Sequence, residues 1–265
     1  DYVTKPSSSG GLISAKDFQR ELTAKVKTLG AAARAARARS GVPRRPRHGS
    51  VLPPVRAQDA RKEIRLRDAP ILPPQVIAIG SSTGGPQALF TVLARMGGAI
   101  KVPVLVTQHM PATFTTILAE HLAQASGMPA AEGRDGEAVV GGRIYVAPGD
   151  FHMTVTLEGS NKIIRLTKEP PENFCRPAVD PMLRSVAAVY GRNALAIILT
   201  GMGRDGLRGA QALTAAGGSV IAQDEATSVV WGMPGAVATA GLCNAVLPLQ
   251  DISSFVRRLV LRTAA

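Results

Sequence analysis

The sequence predicts an α/β fold: a doubly wound, mostly parallel, Rossmann-like sheet with one inserted antiparallel β-hairpin. From Gln75 onward, short apolar runs rich in β-branched residues alternate with segments of helical periodicity. Such alternation is typical of a parallel sheet that is covered by helices on both faces. Two strand-like segments, in contrast, are separated only by Glu158-Gly159-Ser160-Asn161. A short glycine-containing turn between two strands indicates a hairpin.

Strands are expected where short apolar runs end at glycine, proline or polar residues. Val76–Ile79 and Ala194–Thr200 are expected to be buried on both faces, because they are almost uninterrupted apolar runs. The full set of expected strands is Val76–Ile79, Val102–Thr107, Arg143–Ala147, His152–Leu157, Lys162–Thr167, Ala194–Thr200, Ser219–Ala222 and Ala245–Leu247.

Helices are expected between these strands. Pro86 suits the first position of a helix, and Thr113 and Asp180 are suitable N-caps. The expected helices are Pro86–Met96, Phe114–Ala125, one from Asp180 to Gly191, Leu207–Ala216, and a last one along Ile252, Phe255, Val256, Leu259 and Val260. In the second of these helices, Phe114, Ile117, Leu118, Leu122 and Ala125 are expected to face inward.

The composition excludes several classes of protein. The chain has 265 residues, 45% of them hydrophobic, which is enough for a substantial core. It has no apolar run long enough to span a membrane and no signal peptide at its start, so no membrane insertion is expected. Its two cysteines, Cys175 and Cys243, lack the spacing of metal ligands, and its four histidines form no metal motif. We therefore expect a cytoplasmic protein that needs no cofactor.

The net charge of +12 is concentrated in one segment. Residues 31–70 hold 11 Lys and Arg against three acidic residues, and residues 31–74 are rich in alanine, arginine and proline. This composition predicts a basic linker over residues 31–74. The linker contains no aromatic side chain that could stack on a base, so we expect no nucleic-acid partner. A DNA-binding regulator that uses this basic segment is kept as an alternative.

The first residues indicate a different kind of domain. Asp1-Tyr2-Val3-Thr4-Lys5-Pro6 precedes a helical segment, Lys16–Leu29, with Phe18, Leu22, Val26 and Leu29 on one face. This resembles the last strand and helix of a response-regulator receiver domain, in which a lysine followed by proline lies beside the phosphoryl site. The resemblance implies that residues 1–30 end a receiver domain, that its phosphoacceptor lies upstream, and that a histidine kinase is a partner. Residues 75–265 are then the remaining domain.

A candidate nucleophile lies between the first strand and the first helix. Gly80-Ser81-Ser82-Thr83-Gly84 is a G-x-S-x-G sequence with Ser82 at its centre. Such a turn exposes the serine hydroxyl at the edge of a sheet, beside the amides of a helix N-terminus. A plain turn and a dinucleotide phosphate site are the alternatives. The second is disfavoured, because no acidic residue lies between Asp68 and Glu120 to bind the ribose.

A candidate base and acid follow two other strands. His109 comes directly after the second strand, and Asp205 follows Ala194–Thr200 in a glycine-rich turn. Because the carboxyl ends of parallel strands meet at one edge, Ser82, His109 and Asp205 are expected to converge there as nucleophile, base and orienting acid. Taken singly, His109 could be a turn residue and Asp205 an N-cap.

Four segments resemble the protein-glutamate methylesterase family, the chemotaxis response regulators called CheB. They are V-I-A-I-G-S-S-T-G-G-P, T-Q-H-M-P-A-T-F, Y-V-A-P-G-D-F-H-M and I-L-T-G-M-G-R-D-G, in order between about Gln75 and Val260. The resemblance implies a Ser82-His109-Asp205 triad, with Thr83 and Met202 lining the same site. It also implies hydrolysis of glutamyl methyl esters and deamidation of glutamines on methylated chemoreceptors, without a cofactor. Arg204 stands where a small polar residue such as Asn is expected.

Other candidate residues near the site have structural explanations. Arg176 and Asp180 lie in C-R-P-A-V-D-P and are candidates for the rim of the site, although Asp180 is better explained as an N-cap. His152 opens a hairpin strand and His121 flanks a helical face, so both are expected to be structural. A small-molecule carboxylesterase that uses the same triad is a further alternative.

Overall fold

The computed structural model describes residues 64–98 and 100–261, together with Thr23, Val26, Lys27 and Gly30. The strands in these ranges are β1 (Val76–Ser81), β2 (Val104–Gln108), β3 (Ala130–Glu132), β4 (Ile144–Val146), β5 (His152–Glu158), β6 (Asn161–Thr167), β7 (Ala194–Ile198), β8 (Ser219–Gln223) and β9 (Ala245–Leu247). The helices are α1 (Gly85–Ala94), α2 (Ala112–Ser126), α3 (Val179–Tyr190), α4 (Leu207–Ala215), α5 (Met233–Thr239) and α6 (Leu249–Leu261), with a 3₁₀ turn at Gly191–Asn193.

Seven strands form one parallel sheet in the order β3-β4-β2-β1-β7-β8-β9. β5 and β6 form a separate antiparallel pair, with His152 opposite Thr167. The predicted α/β fold with an inserted hairpin is therefore confirmed. The chain leaves the central strand β1 toward β2 and returns on its other side at β7. The winding reverses between β1 and β7, and the carboxyl ends of strands at such a point form a crevice for ligands.

Each face of the sheet packs against its own hydrophobic core. Ile77 and Ile79 of β1 point into one core, which α1, α2 and α6 cover. Val76 and Ala78 point into the other core, which is formed with α3, α4, α5 and the hairpin. All six residues of β1 are buried, because helices cover both faces of this strand.

Two predicted helix starts are wrong. Pro111 is the N-cap of α2 and Thr113 lies inside the helix; Ile117, expected to face inward, is 44% exposed. Ala178 is the N-cap of α3, and Asp180 lies in its first turn. In both cases the residue before the helix is extended and provides no side-chain hydrogen bond. The amides at the start of α3 instead donate to the carboxylate of Asp205, which lies outside this helix.

Two short elements were not predicted. β3 reads A-A-E and extends the sheet beyond β4, and α5 begins with Met233-Pro234-Gly235. Neither has the apolar run or the periodicity that indicates an element, since β3 is only three residues long and α5 contains an early glycine. Their formation depends on the neighbours against which they pack.

Most of the predicted N-terminal helix and linker lies outside the described residues. The last linker residues, 64–74, run along the sheet domain: Arg67 N donates to Cys243 O (2.8 Å), and Asn244 Nδ2 donates to Ala69 O (3.0 Å). Within the described ranges, every helix is too short or too polar to cross a membrane.

Candidate active site

Ser82 lies in the tight turn between β1 and α1. Its amide donates to Thr200 O (3.1 Å), and its carbonyl accepts from Gly85 N (2.7 Å). Gly84 is the N-cap of α1 with φ of 77°, a left-handed conformation that glycine adopts without strain. These contacts hold Ser82 at the carboxyl edge of the sheet, where it is 7% exposed.

A buried glutamine, Gln108, ties this turn to the backbone that follows β2. Ser81 Oγ donates to Gln108 Oε1 (2.7 Å), and Gln108 Nε2 donates to the carbonyls of Ser82 (3.0 Å) and His109 (3.2 Å). His109 N also donates to Ser81 O (3.2 Å). Gln108 was not among the residues expected at the site. A glutamine that ends an otherwise apolar strand was the signal that could have identified it.

His109 and Asp205 are joined directly, as their places after two strands of one sheet led us to expect. His109 Nε2 lies 2.7 Å from Asp205 Oδ2, and the two side chains are only 11% and 2% exposed. Because the carboxylate can only accept, Nε2 carries the proton and Nδ1 is the nitrogen that can act as a base. The pair therefore has the geometry of a base and its orienting acid.

The carboxylate of Asp205 also caps helix α3 from outside that helix. It accepts from Val179 N (2.6 Å), Asp180 N (3.0 Å) and Gly206 N (2.9 Å). Burial alone would raise the pKa of Asp205. The hydrogen bond from His109, the charge of His109 and the amides of α3 outweigh burial and lower that pKa below its usual range. Asp205 is therefore held as a carboxylate.

Asn173 links Asp205 to a second buried carboxylate. Its Nδ2 donates to Asp205 Oδ1 (2.9 Å) and to Asp180 Oδ2 (3.0 Å), and Asp180 Oδ1 accepts from Gly209 N (2.7 Å). Burial, with the charge of Asp205, raises the pKa of Asp180. Asp180 is thus neither an N-cap nor at the rim of the site, since it is 1% exposed and ties α3 to α4.

Asn173 belongs to a turn from Glu172 to Cys175, and this turn also places Cys175 beside His109. Glu172 and Cys175 pair through their backbones, with Cys175 N donating to Glu172 O (2.8 Å) and Glu172 N to Cys175 O (3.1 Å). Asn173 and Phe174 between them have φ of 52° and 63°. Cys175 Sγ lies 3.3 Å from His109 Nδ1. Neither Asn173 nor Cys175 was expected at the site, because nothing local in N-F-C indicates contact with residues 30 or more positions away.

The structure does not join the predicted nucleophile to the predicted base. Within the described part of the chain, no hydrogen bond links Ser82 Oγ to His109, whose two nitrogens are engaged by Asp205 and Cys175. Burial acts to lower the pKa of His109. The electrostatic interaction and hydrogen bond with Cys175, together with the contacts with Asp205, outweigh burial and raise that pKa to about 10. In this arrangement His109 is protonated at neutral pH.

Thr83 follows Ser82 in the turn, and Met202 follows a glycine that packs against Ser82. Thr83 is buried beside Ser82, and its carbonyl accepts from Thr200 Oγ1 (2.9 Å). Met202 follows Gly201, where an added Cβ would lie 2.9 Å from Ser82 Cβ. Only glycine therefore allows this approach, which brings the backbone of Gly201, the residue before Met202, next to the serine. Arg204, the residue that departs from the expected pattern, is exposed.

The other candidate residues, His152, His121 and Arg176, make contacts that hold neighbouring segments together. His152 Nδ1 accepts from Ala178 N (3.2 Å), so its protonated Nε2 donates to Pro170 O (3.1 Å). The ring of His121 packs edge-on against Phe90, 6.1 Å between centroids. Arg176 Nη1 donates to the carbonyls of Lys168 (3.1 Å) and Glu169. Among the described residues, no group of three or more His, Cys, Asp or Glu could hold a metal ion.

Comparison with known proteins identifies the family. The family model described as CheB methylesterase matches residues 77–256. A protein-glutamate methylesterase/protein-glutamine glutaminase 1 of Paramagnetospirillum magneticum is 58% identical over 272 residues, covering 99% of this chain and 70% of that protein. A second relative with that name, from a group 2 operon of Rhodospirillum centenum, is 56% identical over 278 residues, covering 100% of this chain and 70% of its own length.

A solved structure has the same fold. The crystal structure of the catalytic domain of Thermotoga maritima CheB methylesterase is 41% identical and superposes with a TM-score of 0.69, covering 71% of this chain and 99% of that domain. The match of the family model, the identity of these relatives and this superposition agree. The chain belongs to the CheB methylesterase family.

Proposed function

We propose that this chain is a protein-glutamate methylesterase and protein-glutamine glutaminase that acts on methylated chemoreceptors in chemotaxis adaptation. The observation that carries the proposal is the buried pair of His109 Nε2 and Asp205 Oδ2, 2.7 Å apart, beside the turn that holds Ser82. The names of the relatives support the reaction and its protein substrate. Both residues of the pair and Ser82 lie inside the segment that the family model matches.

The reaction proceeds by acyl transfer through Ser82. As Ser82 Oγ attacks the ester carbonyl, His109 Nδ1 takes its proton and then gives it to the leaving methanol. Water then attacks the acyl carbon and loses a proton to the same nitrogen. The glutamate side chain leaves, and Ser82 Oγ takes that proton back from His109. Asp205 keeps the proton of Nε2 in place and stabilises the imidazolium that forms in each step. A glutamine substrate follows the same course and releases ammonia.

The negative oxygen of each tetrahedral intermediate needs hydrogen-bond donors. We assign this role to the backbone amides of Thr83 and Met202, because Thr83 follows Ser82 directly and Met202 follows Gly201, which packs against Ser82. Such donors are typically worth about 3 kcal/mol each in the transition state.

The remaining parts of the chain are assigned to regulation. Residues 75–265 form the catalytic domain, residues 31–74 a linker, and residues 1–30 the end of a receiver domain on which a histidine kinase acts. The lysine-proline pair Lys5-Pro6 supports the receiver assignment. The enzyme works in the cytoplasm, which the two free cysteines Cys175 and Cys243 support, because a reducing compartment keeps thiols free.

Methanol release from receptor membranes tests this proposal. Receptors methylated with a radioactive methyl group are incubated with the wild-type protein, Ser82→Ala and Ser81→Ala. We expect Ser82→Ala to be inactive, since it lacks the attacking oxygen, and Ser81→Ala to keep substantial activity, since Ser81 Oγ bonds only to Gln108 among the described residues. An inactive Ser81→Ala beside an active Ser82→Ala would contradict the assignment. Activity on short esters alone would indicate a small-molecule carboxylesterase.

A further inference from the structure

The imidazole of His109 is held at both nitrogens. Nε2 is bound to Asp205 Oδ2 at 2.7 Å, and Nδ1 lies 3.3 Å from Cys175 Sγ. A sulfur at this distance from nitrogen is within hydrogen-bonding range. Because Nε2 keeps its proton for the carboxylate, Nδ1 is the nitrogen left to receive a proton from a nucleophile. In the structure that nitrogen faces the thiol.

The thiol and the hydroxyl of Ser82 need the same position on the ring. A neutral Nδ1 has one lone pair, so it accepts one hydrogen bond at a time. A protonated Nδ1 donates to the sulfur and cannot act as a base. In both states the contact with Cys175 prevents His109 from taking the proton of Ser82.

We propose that Cys175 is a positioning residue for His109: its thiol holds Nδ1 in the resting site, and Ser82 gains its base only when the imidazole exchanges the thiol for the hydroxyl. The inference rests on the proposed function, because it concerns the base of that reaction. This exchange needs only a rotation of the Cys175 side chain. A cysteine side chain turns about a single bond, and Cys175 is half-buried rather than enclosed.

The turn that carries Cys175 keeps the thiol close to the ring. Glu172 and Cys175 are paired through their backbones, and Arg184 of α3 forms an ion pair with Glu172. Asn173 in the same turn bonds to Asp205, the other partner of the ring. Cys175 and Asp205 are therefore held by one framework, with the imidazole between them.

The groups that contact the ring determine the effect of removing the thiol. Cys175 on the turn and Asp205 before α4 face His109 directly, and together they outweigh burial and raise its pKa to about 10. Asp180 of α3 lies one step further away, beyond the amide of Asn173. Replacing Cys175 removes one of the two groups that favour the imidazolium, so the pKa of His109 must fall. A lower pKa leaves more neutral imidazole at neutral pH.

The test compares Cys175→Ala and Cys175→Ser with the wild-type chain. The first measurement is the titration of the His109 ring by NMR, with its signals assigned by their loss in His109→Gln. We expect the midpoint to fall by about one pH unit in Cys175→Ala, because the protonated Nδ1 loses the sulfur as its hydrogen-bond acceptor. We expect a smaller fall in Cys175→Ser, whose hydroxyl can still bond to Nδ1.

The second measurement is the pH dependence of kcat/KM for methanol release. We expect the acidic limb of the Cys175→Ala profile to move to lower pH, with kcat/KM at pH 7 rising about tenfold for every pH unit that the limb moves. Cys243→Ala is the matched control, because Cys243 is fully buried in the core and distant in sequence from the site; it should leave the profile unchanged. A merely structural role for Cys175 would lower the rate without moving the profile.

Superimposable ring titrations of the wild-type and Cys175→Ala proteins would overturn the inference, as would an unchanged acidic limb. If Cys175→Ala does not fold, Cys175→Ser is judged by the same two measurements. The ring titration needs no substrate, so it tests the contact with Cys175 even in a chain that releases no methanol from receptors. Failure of the proposed function and failure of this inference are therefore distinguishable.

Discussion

The carboxylate of Asp205 accepts hydrogen bonds from five groups: His109 Nε2, Asn173 Nδ2 and the amides of Val179, Asp180 and Gly206. Each donor points at one of two oxygens that can only accept while ionised. The side chain is therefore adapted to a permanent negative charge. Its place beside His109 was predictable from its position after a strand, but its five donors were not, because four of them come from outside its own turn.

Replacing this carboxylate by an amide should damage catalysis far more than the fold. In Asp205→Asn an NH₂ group replaces one of the two accepting oxygens. In one orientation the NH₂ group faces the amides of α3 and cannot accept from them; in the other it faces His109 and favours the wrong tautomer of the ring. We expect turnover to fall by about 10⁴, as for the corresponding change in serine proteases. Methanol release and the circular dichroism spectrum of the variant test this expectation. A variant with more than a tenth of wild-type turnover would remove Asp205 from the triad.

At the scale of elements, the sheet was predictable and the turn between β6 and α3 was not. Buried strands such as β1 and β7 have uninterrupted apolar runs, because helices cover both of their faces. The turn at Asn173 and Phe174 lacks glycine, although both residues have positive φ. The local sequence does not indicate a left-handed conformation at two successive residues. The turn depends on contacts with Asp180, Asp205 and His109, which adjoin it only in the folded chain.

The amide of Asn173 can be tested without disturbing the turn. Asn173→Gly removes the bridge between Asp180 and Asp205 but tolerates the positive φ of this position. We expect a loss of about 1–3 kcal/mol in the free energy of unfolding, because the two buried carboxylates lose a shared donor. Urea denaturation measures this loss.

Phe174→Gly is the matched control for the backbone. It introduces the same residue at the neighbouring position of positive φ, where the side chain is 66% exposed. Equal destabilisation by the two glycine variants would mean that the bridge contributes nothing beyond the conformation of the turn.

At the scale of the whole molecule, the buried charged groups make stability depend on pH. The pKa of His109 is raised from its ordinary value of 6.5 to about 10, so the native state keeps a proton there that the unfolded chain releases. This contribution is complete below pH 6.5 and is lost as the pH rises toward about 10. The lowered pKa of Asp205 contributes stability above pH 3.8, its ordinary pKa, and this contribution is lost as the pH falls below that value. The raised pKa of Asp180 opposes it there.

We therefore expect the free energy of unfolding to decrease between pH 6.5 and about 10, and to decrease less in His109→Gln, which has no titrating ring. Urea denaturation at a series of pH values measures both slopes. Comparison with the variant cancels the contributions of lysines and tyrosines that titrate in the same range. Parallel slopes for the two proteins would show that His109 does not carry a raised pKa.

The last residues of the linker add to the stability of the sheet domain. Arg67 N donates to Cys243 O, Arg67 Nη1 donates to Gly218 O at 3.0 Å, and Ala69 O accepts from Asn244.

A chain that starts at Gln75 loses these contacts, whereas one that starts at Ile64 keeps them. We expect the shorter chain to be less stable by about 1–3 kcal/mol in urea. Both chains should release methanol within a few-fold of the full chain, since these contacts lie away from Ser82. A collapse of activity in the chain starting at Ile64 would indicate that the basic linker docks the receptor, an attraction that added salt should weaken.

The cap that Asp205 provides for α3 also limits how the protein can open. If α3 separated from the sheet, the amides of Val179 and Asp180 would lose their acceptor and the Asp205 carboxylate would be left with a buried charge and fewer donors. Local detachment of α3 is thus costly twice, because both the amide donors and the carboxylate acceptor lose their partners. Hydrogen exchange at Val179 and Asp180 should accordingly require opening of the whole domain. States in which α3 is detached while the Asp205 carboxylate stays beside His109 are therefore disfavoured.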